Sequence, residues 1–393
     1  MSGLLRGKLL LLAGLCGLSS HAGAAEVKSQ ATALAPYTQA YEPQGIDERG
    51  MWMVADENER QTRDSRFVIK DEGLNAYVRG VLCKTVGEDR CHGVRLYIMR
   101  VPAFNAQMAP NGMMTIWSGL LLRAKSEAEL GAVLGHEFGH FEQRHSLEAF
   151  KRQRTTTDIT SWASILMPSN PSLSIGVLGG MFAFNRGQET EADVKGFQYL
   201  AASPYPASAA ANIWERMMAE QDATAAGRKR KVTHRYNAGF TASHPTELTR
   251  ATYLRDLATK ANDPGDERAA EYRVGLAKWL PEFLDDQVKL NDFGGSEYLL
   301  GELALSGGWS PDLLFARAEL YRQRGNPRDL TTAAQFYREA IDKGLTRPEA
   351  SRGLGLALMR SQETESGKLA LRHYLELKPD ASDASMIASL IGN

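Results

Sequence analysis

The seven residues Leu134-Gly135-His136-Glu137-Phe138-Gly139-His140 constrain this chain more than any other stretch. A helix turns once per 3.6 residues, so side chains four apart share a face. His136 and His140 then point the same way, and two imidazoles on one face can hold a single Zn²⁺ at about 2.0–2.1 Å each. Glu137 falls about 100° round the helix from His136, beside the metal rather than on it, where it suits a general base. Ser126-Glu127-Ala128-Glu129 supplies a capping box ahead of the motif, with Ser126 as N-cap. Leu130, Val133, Leu134, Phe138 and Phe141 give the helix its apolar stripe. The run Lys151-Arg152-Gln153-Arg154 is expected near its C-terminus, where positive charge suits the helix dipole. Gly135 and Gly139 are poor helix formers, and their small size lets other backbone come close. His145 is expected at the surface. The alternative is an ordinary amphipathic helix with two histidines, and a third donor decides between them.

A catalytic zinc site takes three protein ligands and leaves one position open. Downstream, Asn185–Asp193 contains Glu189, Glu191 and Asp193. Glu189 and Asp193 are four apart and share a helical face. Glu189 is the expected third ligand. Asp193 is the expected outer carboxylate, accepting the free N–H of a bound imidazole, that of His136, and so fixing its tautomer. Glu191 is the rival ligand but points off that face. The cofactor expected is one Zn²⁺ per chain.

These residues, His136-Glu137-x-x-His140 and Arg186-x-x-Glu189-x-x-Ala192-Asp193, together with Ser243-His244-Pro245, resemble the HtpX/BepA-type zinc metalloendopeptidases. Within that family the match is to the beta-barrel assembly-enhancing protease group, periplasmic proteases with a C-terminal tetratricopeptide array. The resemblance covers roughly residues 60–260 and, more loosely, the rest. It implies a gluzincin-like domain and clients among outer-membrane proteins stalled in assembly. It implies that His244 can sit over the zinc as a latch. It also implies that Arg250 stabilises the anionic intermediate, and that the strand following Asn105-Ala106 lines the cleft.

The chain in order fits two domains, since 393 residues exceed the usual single-core size. Its 46 basic and 47 acidic residues argue against nucleic acid as a main partner. Residues 1–24 read as a signal peptide: Arg6 and Lys8, then the apolar run Leu9–Leu18, then Ala22-Gly23-Ala24. That implies a periplasmic protein. Lipidation of Cys16 is the weaker reading, because Leu15 precedes it where a small residue is preferred. In an oxidising compartment Cys83 and Cys91 read as a disulfide, with metal binding as the rival. Residues 26–60 are a polar lead-in, and 64–82 show helical spacing. Val94–Val101 and Met113–Trp117 read as strands of a small antiparallel sheet, with Pro110-Asn111-Gly112 as a turn. A free edge can pair with an extended peptide, which makes Met113, Met114, Thr115 and Ile116 the candidate substrate strand. The alternative is a strand that only packs.

Residues 161–184 are apolar but broken by Pro168 and Pro171. They suit a buried helical hairpin, or else a flap that touches membrane or substrate. Trp214, Met217 and Met218 recur at helical spacing and read as core, and Gly227–Lys231 as a solvated basic loop. From about 265 the pattern of small residues, glycine and aromatics over Pro311–Gly344 and Pro348–Pro379 resembles tetratricopeptide or Sel1-like helix pairs. Pro327–Leu330 is expected to widen the loop of the first pair, favouring the Sel1-like form there. The fold class is therefore mainly α (α+β): a zinc peptidase domain over 25–264 and an α-helical repeat domain over 265–393. The function expected is an exported zinc endopeptidase, with the outer-membrane assembly machinery reached through the repeats. The rival is a repeat-based assembly factor with a mostly latent protease site. A structural zinc protein is the weakest reading, since such sites are closed by four ligands.

Overall fold

The computed structural model describes residues 34, 37, 41–154, 184, 186–231, 248–261 and 265–392. The expected signal segment, Cys16, His244 and all of 161–184 except Phe184 lie outside them. Among the described residues no helix is long and apolar enough to cross a membrane.

Helix α1, Gly45–Arg63, occupies much of the stretch read from sequence as a lead-in. Its inward face is Glu48, Met51, Ala55 and Glu59. Glu59 accepts Arg95 Nη2 at 2.7 Å, Tyr97 Oη at 3.0 Å and Asn111 Nδ2 at 3.0 Å. Two buried acids in the stripe hide its helical period. Helix α2, Glu72–Val86, is capped by Asp71, which accepts the Leu74 N–H at 2.8 Å. The helix expected over 64–82 thus starts late. Phe67 closes a turn and Val68 a β-bridge instead: the Phe67 carbonyl accepts Arg100 N–H at 2.7 Å, and Val68 bridges Met99. A short helix α3, Glu88–Cys91, follows, and a Cys83–Cys91 disulfide ties it to α2.

Strands β1 (Arg95–Met99), β2 (Ala106–Met108) and β3 (Met113–Trp117) form one sheet in the order β1-β3-β2. β3 runs parallel to β1 and antiparallel to β2. The expected antiparallel sheet is therefore corrected to a mixed one. The partner missed is β2, whose three residues Ala-Gln-Met carry no readable alternation. Met113, Met114, Thr115 and Ile116, expected on a free edge, are not at one. They lie on the central strand, and both their hydrogen-bonding edges are taken by β1 and β2. The outer side of β1 bonds residues 67–69. Among the described residues it is β2 whose outer edge has no strand partner. Ala109 N–H bonds the Met113 carbonyl at 2.8 Å and Trp117 N–H bonds the Asn105 carbonyl at 3.0 Å. By alternation, Ala106 and Met108 turn their backbone groups away from β3.

Helix α4, Ser118–Arg123, leads to α5, Glu127–Glu142, which carries the histidine motif. Ser126 Oγ accepts the Glu129 N–H at 3.1 Å. Glu129 Oε2 reaches back to the N–H of Lys125 at 2.8 Å, one residue before the cap. Arg144, at φ 59°, separates α5 from α6, His145–Arg154. The basic run thus closes α6, and the expectation that it ends the catalytic helix is corrected. Helix α7, Arg186–Ala201, crosses α5 where both are small. A Cβ on Gly196 would stand 3.0 Å from His136 N and 3.2 Å from its Cα, and one on Gly139 3.1 Å from the Ala192 carbonyl. Those neighbours are backbone and cannot step aside alone. Gly196→Val is expected to cost about 1–3 kcal/mol by overpacking and to weaken zinc binding by forcing α7 off α5. Thermal unfolding and zinc titration check this, and wild-type values in both would show that the crossing has room.

Helices α8 (Ala209–Gly227) and α9 (Leu248–Ala261) complete the surroundings of α5. Beyond them come α10 (Ala269–Leu276), α11 (Leu280–Val288) and α12 (Phe293–Leu305). The domain boundary expected at 264/265 does not divide the interior. The apolar cluster around α5 continues through Tyr272, Leu284, Leu299, Leu313 and Leu320. Buried Arg123 donates to Glu220 on α8 at 2.6 Å and to Gln287 on α11 at 3.0 Å. Tyr272 Oη donates to the Leu121 carbonyl at 2.7 Å. Smaller clusters then form among α13 (Pro311–Arg324), α14 (Pro327–Asp342), α15 (Pro348–Arg360), α16 (Thr364–Leu377) and α17 (Ala384–Ile391). Here Gly353 and Gly367 sit at helix contacts: a Cβ on Gly353 would meet the Tyr337 ring at 2.3 Å. The loop expected to be widened by Pro327–Leu330 is only Gly325-Asn326. Pro327 is the first residue of α14, and Asp329 Oδ2 accepts the Asn326 N–H at 3.1 Å in a capping box. The reason for a Sel1-like departure is thereby removed.

Candidate metal centre

His136 and His140 lie one turn apart on α5, and both are buried. Their Nε2 atoms are 3.1 Å apart. Glu189, in the first turn of α7, places Oε2 3.7 Å from His136 Nε2 and Oε1 3.4 Å from His140 Nε2. A tetrahedral ion with bonds of 2.0–2.1 Å needs donors about 3.3–3.4 Å apart. The distances, two of them to different oxygens of Glu189, lie around that spacing, so the three residues suit a zinc ion. Two imidazoles and one carboxylate also leave a fourth position, as a catalytic rather than a structural site requires. Glu137 is buried one residue along α5 from His136.

Asp193, one turn beyond Glu189, places Oδ1 2.9 Å from His136 Nδ1. That contact puts the ring hydrogen on Nδ1 and leaves Nε2 for the metal. Arg250, from α9, grips both carboxylates. Its Nε and Nη2 donate to Asp193 at 2.7 and 2.6 Å, and its Nη1 lies 2.7 Å from Glu189 Oε2. Tyr253 Oη also donates to Asp193 Oδ2. Burial opposes charge on Asp193, but Arg250 and His136 outweigh it and hold the carboxyl well below its ordinary range. Burial also works against the Arg250 guanidinium, and Asp193 more than restores it. Among the described residues, the buried charges of the site are Glu137, Glu189 and Asp193 against Arg250. A divalent cation offsets that excess of negative charge.

Four neighbours escaped the sequence reading. Trp214, read as core, stands edge-on to His136 at 6.1 Å with Arg250 over its face at 5.1 Å. Phe184 stacks on His140 at 3.9 Å between centroids. Tyr253 carried no signal that separates it from packing. His145, expected at the surface, is only 1% exposed. Its Nδ1 lies 2.8 Å from His140 Nδ1, and its Nε2 lies 3.1 Å from Glu191 Oε2. Burial pushes its imidazole below the ordinary value, against the pull of Glu191. Glu191 thus faces His145 rather than the metal donors.

A helix bearing two histidines and a glutamate, completed by a carboxylate from a second helix, is the donor set of a metallopeptidase. Residues 89–258 match the model of Peptidase family M48, and this stretch of the chain is an M48 peptidase domain. The mitochondrial metalloendopeptidase OMA1 of Schizosaccharomyces pombe is 31% identical over 168 residues, 42% of this chain and 47% of that protein. The beta-barrel assembly-enhancing protease of Yersinia pestis is 29% identical over 175 residues, 40% of this chain and 35% of its own. Its namesake in Escherichia coli K12 is 26% identical over 175 residues, again 40% of this chain and 36% of that one. The chain thus spans less than half the length of these relatives.

Proposed function

We propose that this chain is a zinc-dependent endopeptidase. The observation that carries the reading is the set of three buried donors 3.1–3.7 Å apart with Glu137 beside them. His136, His140 and Glu189 would hold the zinc, which when bound would supply a Lewis acid for the scissile carbonyl and for an attacking water. Glu137 takes the proton from that water and passes it to the leaving amine. Asp193 keeps His136 in its binding tautomer. The outer edge of β2, with the backbone groups of Ala106 and Met108, aligns an extended peptide by main-chain hydrogen bonds. This replaces β3 as the substrate strand.

The finer reading is a protease of envelope proteins. The signal-like segment 1–24 supports export to the periplasm, and the names of the bacterial relatives support a role in beta-barrel assembly. Helices α13–α17, read as tetratricopeptide-like pairs, offer the surface for client or assembly machinery. His244 is the proposed latch, and a neutral imidazole is a good zinc ligand. The test is zinc content and cleavage of casein by wild type and His244→Ala. One zinc per chain with cleavage, raised in the variant, supports both enzyme and latch. An unchanged rate removes the latch, and a chain that binds no zinc removes the enzyme.

A further inference from the structure

We propose that His145 is a positioning residue for His140, and that Glu191 anchors it, in a Glu191–His145–His140 relay. The inference rests on the zinc set proposed above. With Nε2 of His140 given to the metal, its hydrogen sits on Nδ1. That atom lies 2.8 Å from His145 Nδ1. Two ring nitrogens so close must share one hydrogen, so His140 donates and His145 accepts. The hydrogen of His145 is then on Nε2, where it donates to Glu191 Oε2 at 3.1 Å. Each group in the line thereby has one fixed role.

The fold is arranged to deliver this contact. On an unbroken helix a residue five beyond His140 would leave its face. Arg144 instead takes a left-handed turn, at φ 59°, a conformation unusual for a residue with a side chain. The Tyr41 ring lies 4.0 Å from its guanidinium carbon. The turn brings His145 back under α5. Phe184, stacked on the His140 ring, restricts the same imidazole through its face. The two histidine ligands are therefore held in parallel ways. Asp193 fixes His136 directly, and Glu191 fixes His140 through His145. Both carboxylates stand on α7 with Glu189, so one helix brings a metal ligand and both outer anchors.

Asparagine and glutamine separate the two ends of the relay. The Oδ1 of asparagine falls near the position of Nδ1, and the amide end of glutamine near Nε2. His145→Asn keeps an acceptor for His140 and loses Glu191. His145→Gln keeps Glu191 and loses His140. The experiment measures zinc affinity of the full chain by chelator competition, the visible spectrum after cobalt loading, and thermal unfolding of the apoprotein. His145→Asn is expected to keep zinc affinity near wild type, with the wild-type cobalt spectrum. His145→Gln is expected to lose about 10–100-fold in affinity, with altered cobalt bands and an apoprotein as stable as the asparagine variant. A role in packing alone would move both variants together, and equal affinities in the two overturn the relay. If neither folds, Glu191→Ala carries the test, because that side chain is 61% exposed and its truncation removes the acceptor of the His145 Nε2 hydrogen. A several-fold weaker zinc affinity there supports the relay, and an unchanged one overturns it. Wild-type protein that binds no zinc would instead sink the metal site itself.

Discussion

Glu137→Gln is expected to abolish cleavage while zinc stays bound. The glutamine amide has nearly the same shape as the carboxylate and fits the same buried position on α5. It cannot accept the proton of the attacking water, and it has none of the right acidity to give to the leaving amine. Removing a general acid–base typically lowers kcat by about 10²–10⁴-fold. The donors His136, His140 and Glu189 are untouched, so zinc content and unfolding temperature remain those of wild type. The comparison therefore separates chemistry from assembly of the site. A variant that cleaves casein at the wild-type rate would hand the general-base role to another group.

Arg250→Met is expected to produce the largest loss of stability of any single change near the site. Methionine fills similar volume but leaves Asp193 and Glu189 without the guanidinium that now joins them. Removing one partner of a buried ion pair costs about 3–5 kcal/mol, because the other charge stays buried. Zinc restores a positive neighbour for Glu189 but not for Asp193. It should therefore raise the unfolding temperature of the variant more than that of wild type, without full rescue. Arg250→Lys should fall between the two, since one ammonium cannot fork to two carboxylates. The family resemblance implies that Arg250 stabilises an anionic intermediate. A residue with that duty alone would lower kcat and leave the unfolding temperature of the apoprotein unmoved, which is the result that would refute the structural role.

The metal donors and the outer carboxylate were legible because they repeat at helical spacing. His136 with His140, and Glu189 with Asp193, each lie four apart, so one rule reads both. The parts that were missed depend on contacts between segments or on local breaks. His145 is five beyond His140, and only the turn at Arg144, unmarked by glycine or proline, brings it back. Trp214 and Tyr253 look like any buried aromatic. Helix α1 was hidden because Glu48 and Glu59 occupy its inward face. β2 is too short to show a period, and without it β3 passes for an edge. The parallel pairing of β1 with β3 has no local signature at all. The change of texture near residue 265 is real in sequence, but it marks a change of motif rather than the end of a core.

The shared interior of α5 and α10–α12 also bears on how the protein is made. A growing chain delivers α5 first, while Tyr272, Leu284 and Leu299, which close its surroundings, arrive more than a hundred residues later. Domains fold as units once their chain is complete. Residues 89–258 alone lack Tyr272, Leu284 and Leu299, which extend the apolar interior beyond the helix's nearer neighbours. The interior that α5 shares is therefore complete only once the segment through Leu320 has been made. A chain ending at residue 264 is expected to leave the apolar surfaces that meet Tyr272, Leu284 and Leu299 open to water, and to unfold at a lower temperature than the full chain.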